Sequence, residues 1–179
     1  MTKKITYEKN QFEVYITNKE IKKRIKEIAN DLNTNFISDR PIFIGVLNGC
    51  IYFMMDLLKE IKFDYEIDFV KIKSYVGMEQ HDISSDLLDY TFLKDKNIII
   101  VEDIIDSGNT IKFLYEKIMT HNPKSCTVIT LLEKQKVKNF DKNKIDYFCF
   151  EIKNKFVIGY GLDINNLFRN LKDIYIKNG

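Results

Sequence analysis

The stretch from Ile98 to Thr110, IIIVEDIIDSGNT, constrains the fold more than any other part of the chain. Four β-branched residues, Ile98 to Val101, form a continuous apolar run that is typical of a strand buried on both faces, as in a parallel sheet under helices. Glu102, Asp103 and Asp106 follow within five positions. Because like charges repel and each loses hydration on burial, three acids where a core strand ends predict a cationic or polyhydroxyl ligand.

The residues after these acids predict a phosphate-binding turn. Ser107 to Thr110 is small and hydroxylated, and it precedes a helical pattern that contains Phe113, Leu114, Ile118 and Met119. A glycine-containing turn at a helix start offers free backbone N–H groups and the positive end of the helix dipole, and both attract a phosphate. The alternative is a strand–turn–helix whose acids only cap the helix and face water.

Strand and helix patterns alternate along the rest of the chain. Thr17 to Glu20 is a capping-box sequence, and the apolar spacing after it predicts an amphipathic helix from about residue 18 to 34. Phe12 to Ile16 alternates weakly and indicates a short edge strand. Further apolar runs indicate strands at 42–47, 65–74, 126–132, 148–150 and 156–158, and a helix at 51–61. This order predicts an α/β fold with one open, mainly parallel sheet, helices on both faces, and ligands beyond the carboxyl ends of the strands.

Composition excludes several classes of protein. A chain of 179 residues is long enough for one well-buried domain and short for two, so we expect a single domain over residues 1–179. With 28 basic and 26 acidic side chains, the net charge of +2 is too balanced to indicate a nucleic-acid partner. No apolar segment approaches the ~20 residues that span a bilayer, and the start lacks a signal-peptide pattern. We therefore expect a cytoplasmic protein without a membrane partner.

The cysteines and histidines do not form a recognisable reactive site. Cys50, Cys126 and Cys149 are odd in number, widely spaced, and set in or beside apolar runs, which favours buried reduced thiols over a disulfide or a nucleophile. His81 and His121 share no ligand-like spacing with them. We expect neither a structural zinc site nor acyl-transfer chemistry.

The segment Val101 to Thr110 closely resembles the phosphoribosyl pyrophosphate (PRPP) motif of type I phosphoribosyltransferases, in which two acids after an apolar run precede Asp-Ser/Thr-Gly. Its form here resembles the hypoxanthine-guanine branch of that family. Other segments follow the order and approximate spacing of the same branch, and the likeness covers nearly the whole chain: Val46–Gly49, Lys73–Tyr75, Leu131–Lys134, Phe156–Asp163 and Phe168–Arg169. The resemblance implies the type I phosphoribosyltransferase fold, with a small hood formed by the chain termini.

The resemblance also implies an activity in purine salvage. An enzyme of this branch transfers the 5-phosphoribosyl group of PRPP to N9 of hypoxanthine or guanine, giving IMP or GMP plus pyrophosphate. It implies Mg²⁺ as the cofactor, PRPP and a 6-oxopurine as substrates, and a homodimer or homotetramer. Asp106 is then the candidate general base or proton partner, placed against the purine N7.

The binding residues follow from the same resemblance. PRPP contacts are expected from Leu47, Asn48, Gly49, Ser74, Tyr75, Glu102, Asp103, Asp106, Ser107, Gly108, Asn109, Thr110 and Arg169. Purine contacts are expected from Lys134 as donor to the 6-oxygen, Phe156 as stacking partner, Val157 through its backbone, and Asp163. Metal contacts are expected from Glu102, Asp103 and Asp163.

Two loops carry further expectations. The break at Leu47-Asn48-Gly49 resembles the family's pyrophosphate loop, which contains a non-proline cis peptide, although many relatives have a basic residue where this chain has Asn48. The polar stretch from Tyr75 to Asp89 resembles a mobile flap that closes over PRPP.

Simpler readings of the site residues stay open at this point. Lys134 also suits a surface lysine, Phe156 a core aromatic, Asp163 a turn-forming residue and Arg169 a surface ion pair. Two other functions also fit the PRPP motif: a PRPP-sensing regulator that binds RNA or protein, and an enzyme that accepts xanthine or a pyrimidine. Lys134, Phe156 and Asp163 in base-site positions favour an enzyme.

Overall fold

Two sheets with helices around the larger one make up the architecture. The computed structural model describes residues 4–36, 40–72 and 90–178, and these ranges contain nine strands and three α-helices. The strands are β1 (Lys4–Tyr7), β2 (Asn10–Ile16), β3 (Ile42–Leu47), β4 (Glu66–Lys71), β5 (Asn97–Ile105), β6 (Ser125–Lys134), β7 (Tyr147–Ile152), β8 (Val157–Ile158) and β9 (Ile174–Lys177). The helices are α1 (Asn18–Asn35), α2 (Ile51–Leu58) and α3 (Asn109–Met119), and short 3-10 turns occupy Tyr90–Leu93 and Lys142–Lys144.

The larger sheet is parallel throughout, in the order β4-β3-β5-β6-β7. Successive residues of β5 point to opposite faces, as the pleat requires. Ile99 and Val101 pack with α1 and α2, whereas Ile98 and Ile100 pack with α3. The predicted open parallel sheet with helices on both faces is confirmed.

Strand β5 runs further than its apolar run suggested. It continues through Glu102 and Asp103 to Ile105, because β6 still pairs with it there. The prediction that the strand ends before these acids is therefore wrong. Pairing with β3 stops at Gly45 opposite Val101, so beyond this point one side of β5 faces the turn that follows β3.

The smaller sheet is antiparallel, in the order β1-β2-β9-β8, and it joins the two ends of the chain. This sheet is the expected hood. The prediction of an edge strand at Phe12–Ile16 is wrong, since β2 lies between β1 and β9. Strand β9 comes from the opposite end of the chain, and no local pattern reveals such a partner.

Helix α1 begins as its capping box predicts. The Glu20 amide donates to the Thr17 hydroxyl at 3.3 Å, and the Thr17 amide donates to the Glu20 carboxylate at 2.8 Å. The Thr17 hydroxyl also donates to this carboxylate, and this bond, followed by the one from the Thr17 amide, lowers the pKa of Glu20. Within the described ranges, no helix is both long enough and apolar enough to cross a membrane.

Candidate active site

The turn after β5 encloses the first part of the site. Residues 106–110, here called the phosphate turn, comprise the link after β5 and the first two residues of α3, and Gly108 adopts φ 87° immediately before the helix begins. A cavity of about 170 Å³ is lined by Glu102 and the run from Ile104 to Ile111. Backbone amides at a helix start are able to bind an anion, and in this turn the Asn109 amide donates to the Ser107 hydroxyl at 3.4 Å.

Two adjacent acids form the floor beside this turn. Glu102 is buried, and its Oε2 atom has no hydrogen-bond partner among the residues that the structure describes. Burial and then the neighbouring charge of Asp103 raise the pKa of Glu102 well above its ordinary value. Burial also raises the pKa of Asp103, whose Oδ1 accepts from the Ile104 amide at 2.9 Å. Two such carboxyls favour sharing a proton until a hydroxyl donor or a cation arrives.

The pyrophosphate loop, Leu47-Asn48-Gly49, and the turn at Gly159-Tyr160-Gly161, here called the Gly-Tyr-Gly turn, meet beside these acids. The Leu47–Asn48 peptide bond is cis, as expected. A Cβ on Gly49 would lie 1.6 Å from Asp103 Oδ2, and a Cβ on Gly161, where φ is 100°, would lie 2.0 Å from the Gly49 carbonyl oxygen. Only glycine permits both approaches. The pyrophosphate loop therefore lies directly against Asp103 of β5, and the Gly-Tyr-Gly turn lies directly against the pyrophosphate loop.

A second cavity of about 200 Å³ opens beside the acids and collects the residues expected to bind the purine. Its lining is Asp103, Ile104, Asp106, Lys134, Lys155, Phe156, Val157, Leu162 and Asp163. Lys134 is largely buried, and its Nζ donates to Asp106 Oδ2 at 2.6 Å and to Asn154 Oδ1 at 3.2 Å. Phe156 is 46% exposed, so its aromatic ring is accessible to a stacking ligand.

Asp163 and Arg169 form an ion pair at one side of this cavity. Arg169 Nη2 lies 2.6 Å from Asp163 Oδ1, and Nη1 donates to the Gly161 carbonyl at 2.6 Å. The other oxygen of Asp163 accepts from the Asn166 amide at 2.7 Å. Asp163 thus shapes its own turn and also faces the cavity.

The acids suit a cation that shares its ligands with a substrate. In the described part of the chain, no three acidic, histidine or cysteine side chains converge to hold an ion, so Glu102, Asp103 and Asp163 do not form a protein-only cage. The unpartnered oxygen of Glu102 and its carboxylate neighbours are nevertheless the hard oxygen donors that Mg²⁺ prefers. Because Mg²⁺ usually keeps waters and substrate phosphates as ligands, the residues fit this ion.

Part of the expected PRPP site falls outside the residues that the structure describes. Ser74, Tyr75 and the expected flap from Tyr75 to Asp89 lie outside the described residues.

The three cysteines are free thiols, and Cys126 is only partly buried. Burial raises the pKa of Cys149 to about 12, so this thiol is a poor nucleophile at neutral pH.

Sequence reasoning missed four residues around the second cavity. Ile104, Lys155 and Leu162 line it, and Asn154 contacts the Lys134 ammonium. Each is a direct neighbour of a predicted site residue or lies within two positions of one. Proximity in sequence was the one signal that could have found them.

Comparison with known proteins places this geometry in a family. Residues 13–165 match the family model described as "Phosphoribosyl transferase domain". The fold and the two cavities therefore define a phosphoribosyltransferase.

Individual relatives narrow the assignment. The hypoxanthine-guanine phosphoribosyltransferase of Mycoplasma genitalium is 38% identical over 160 residues, which is 88% of this chain and 91% of that protein. The enzyme of the same name from Bacillus subtilis is 39% identical over 162 residues, 88% of each chain. A crystal structure of a hypoxanthine-guanine phosphoribosyltransferase from Bacillus anthracis matches with TM-score 0.84 at 34% identity, over 91% of this chain and 96% of that one. The chain belongs to the hypoxanthine-guanine phosphoribosyltransferase family.

Proposed function

We propose that the protein transfers the 5-phosphoribosyl group from PRPP to N9 of hypoxanthine or guanine and so serves purine salvage. One observation carries the proposal. Asp106, Lys134 and the pair Phe156 and Asp163 come from three separate segments, yet all four residues line one cavity of about 200 Å³ directly beside the buried acids. A cation, an aromatic face and a carboxylate around one space suit a purine that carries a 6-oxygen.

The acids and the phosphate turn provide the contacts that bind PRPP. Glu102 and Asp103 accept the ribose 2′- and 3′-hydroxyls, which gives the unpartnered oxygen of Glu102 a donor. Their negative field favours the positive charge that develops on the ribose as the bond at its anomeric carbon breaks. The amides of the phosphate turn, with the hydroxyls of Ser107 and Thr110, hold the 5′-phosphate.

Lys134 and Asp106 act on the base. The ammonium of Lys134 can only donate hydrogen bonds. It therefore binds the 6-oxygen of a 6-oxopurine and disfavours adenine, whose 6-amino group is also a donor. Asp106 accepts from Lys134 in the free protein at 2.6 Å and is the candidate proton partner of the purine N7. The purine therefore enters between two groups that otherwise bind each other.

The pyrophosphate side relies on few protein charges. Bound Mg²⁺ supplies charge neutralisation to the departing pyrophosphate. Glu102, Asp103 and Asp163 are the residues that would hold the ion together with the substrate. Asn48 brings no charge to the pyrophosphate loop, whereas Arg169, which donates to the Gly161 carbonyl, carries a guanidinium fork that can bind phosphate oxygens.

We also propose a homodimer or homotetramer that works in the cytoplasm. The outer face of α2 exposes Ile51, Tyr52 and Met55 by 40–42%, and β4 exposes Ile67 and Phe69 by 45% and 39%. Phe69 and the α2 residue Met54 both come close to Gly45, so these side chains share one side of the sheet. An exposed apolar patch of this kind suits a second copy of the chain. Three free thiols suit a reducing compartment.

A direct assay tests the substrate assignment. The protein is incubated with PRPP, Mg²⁺ and, in turn, hypoxanthine, guanine, xanthine, adenine and a pyrimidine, while nucleotide formation is followed by absorbance. We expect turnover with hypoxanthine and guanine and none with adenine. Turnover of a pyrimidine alone, or of no base, would refute the proposal.

A further inference from the structure

A segment that follows Lys134 along the chain binds the phosphate turn from outside. The Asn139 amide N–H donates to the Ser107 carbonyl at 2.9 Å, and the Asn139 side-chain Nδ2 donates to Asn109 Oδ1 at 2.7 Å. Both acceptors belong to the phosphate turn. One residue thus fixes the turn's backbone on one side of Gly108 and a side chain on the other.

The same segment fills the space left by Gly108. A Cβ at this glycine would lie 2.8 Å from Phe140 Cβ and 3.0 Å from Val137 Cγ1. Phe140 is only 8% exposed, and its ring meets Tyr115 of α3 edge-on at 5.7 Å. The backbone of the turn is therefore shaped against residues that are themselves packed onto α3.

An ion pair ties the far end of this segment to the base side of the site. Lys142 Nζ lies 2.6 Å from Oε1 of Glu133, a residue that is 4% exposed and adjacent to Lys134. Residues 137–142, here called the strap, thus run from the strand that presents Lys134 to the turn that faces the phosphate.

From these contacts we propose that Asn139 is a positioning residue for PRPP: it holds Asn109 so that the amide NH₂ of Asn109, and not its oxygen, faces the 5′-phosphate. The inference rests on the proposed phosphate role of this turn. The hydrogen bond from Asn139 occupies the oxygen of Asn109, which leaves the two donors of that amide for an anion. An amide oxygen turned toward a phosphate would instead repel it.

Two substitutions separate this role from simple packing. Asn139→Ala removes the side-chain donor. Asn139→Asp also replaces it by an acceptor, which draws the NH₂ of Asn109 away from the phosphate. Asn143→Ala and Asn143→Asp are matched controls, because within the described part of the chain Asn143 hydrogen-bonds to Asp141 in the adjoining turn and not to the phosphate turn.

Ribose 5-phosphate, titrated calorimetrically without purine or pyrophosphate, is the probe. We expect Asn139→Ala to weaken its binding about fivefold, the size of one lost hydrogen bond, and Asn139→Asp to weaken it by about tenfold or more. The KM for PRPP should rise in parallel, while the KM for hypoxanthine and the Tm stay close to wild type. Both Asn143 variants should bind like wild type.

The outcome also depends on Asn109. If Asn139 acts through this amide, Asn139→Asp should cause little further loss in an Asn109→Ala background. Unchanged binding by Asn139→Ala, a loss equal in the Asn143→Asp control, or an undiminished effect without Asn109 would overturn the inference. If wild type binds ribose 5-phosphate but transfers to no base, the proposed function fails instead.

Discussion

The carboxyl of Glu102 is buried with an unpartnered oxygen, and such a group destabilises the free protein. Burial and the charge of Asp103 raise its pKa well above 4.5, so the folded chain binds more protons than the unfolded chain from about pH 4.5 up to the folded pKa. Stability therefore falls as the pH rises through that window. A ligand-binding role explains why an acid occupies this position.

We expect Glu102→Gln to raise the Tm of the protein without PRPP or Mg²⁺, and to raise it more at pH 8 than at pH 5. The amide removes the charge whose burial is unfavourable, although it should also weaken PRPP binding. Calorimetric scans at both pH values measure the effect, with the exposed Glu13→Gln on β2 as control. A Tm that falls at pH 8, or that shifts equally in both variants, would contradict this account of the buried acid.

Substitution of Asp106 tests its proposed role as the proton partner of the purine. Replacing Asp106 by Asn keeps the side chain's shape and its acceptor for Lys134 but removes the proton-accepting carboxylate. We expect kcat to fall by about 100-fold or more, as for loss of a general base, with a much smaller change in the KM for PRPP. Steady-state kinetics at saturating purine measure both. A rise in that KM with unchanged kcat would assign Asp106 a structural role.

For individual helices and strands, local sequence patterns predict some boundaries correctly and others wrongly. The capping box of α1 lies within four consecutive residues, Thr17 to Glu20, so sequence alone located the helix start. The end of β5 was misjudged because its acids break the apolar pattern, while pairing with β6 continues. Asn139 was missed altogether, since its partners Ser107 and Asn109 are about thirty positions away and form no motif with it.

The capping box of α1 can be tested by Thr17→Ala. Loss of the N-cap hydrogen bond should reduce the free energy of unfolding by about 1 kcal/mol. Thr34→Ala is the matched control, because this exposed hydroxyl lies near the end of the same helix and donates to the Asn30 carbonyl at 3.1 Å. Urea unfolding of both variants gives the comparison.

The pH dependence of this cap has a defined sign. Because its hydrogen bonds lower the pKa of Glu20, the cap's contribution is present above the ordinary value of 4.5 and is lost as the pH falls through the lowered pKa. The difference between wild type and Thr17→Ala should therefore narrow in acid. Equal losses in the two threonine variants at neutral pH would show that the cap adds nothing.

The whole molecule depends on contacts between distant parts of the chain. The parallel sheet was predictable because each strand has its own apolar run and the βα order leaves few topologies. The hood came from family resemblance, not from residue patterns, since β9 pairs with a strand more than 150 residues earlier. Contacts such as Gly161 against Gly49 are equally non-local, and they decide where the site's loops meet.

The apolar patch on α2 and β4 gives a prediction about assembly. Wild-type protein should sediment as a dimer or tetramer, and Ile67→Glu should shift it toward the monomer, because a charge would be buried between copies. Met119→Glu, an equally exposed apolar position on α3, is the control. A wild-type monomer, or an Ile67→Glu variant that keeps the wild-type mass, would contradict this interface.

The decisive experiment is a crystal structure of the protein bound to IMP, because the nucleotide would occupy all three parts of the site at once. We expect the ribose hydroxyls within hydrogen-bond distance of Glu102 and Asp103, the phosphate on the amides of residues 106–110, and the purine between Lys134 and Phe156. A ribose bound elsewhere, with Glu102 still lacking a partner, would contradict this expectation.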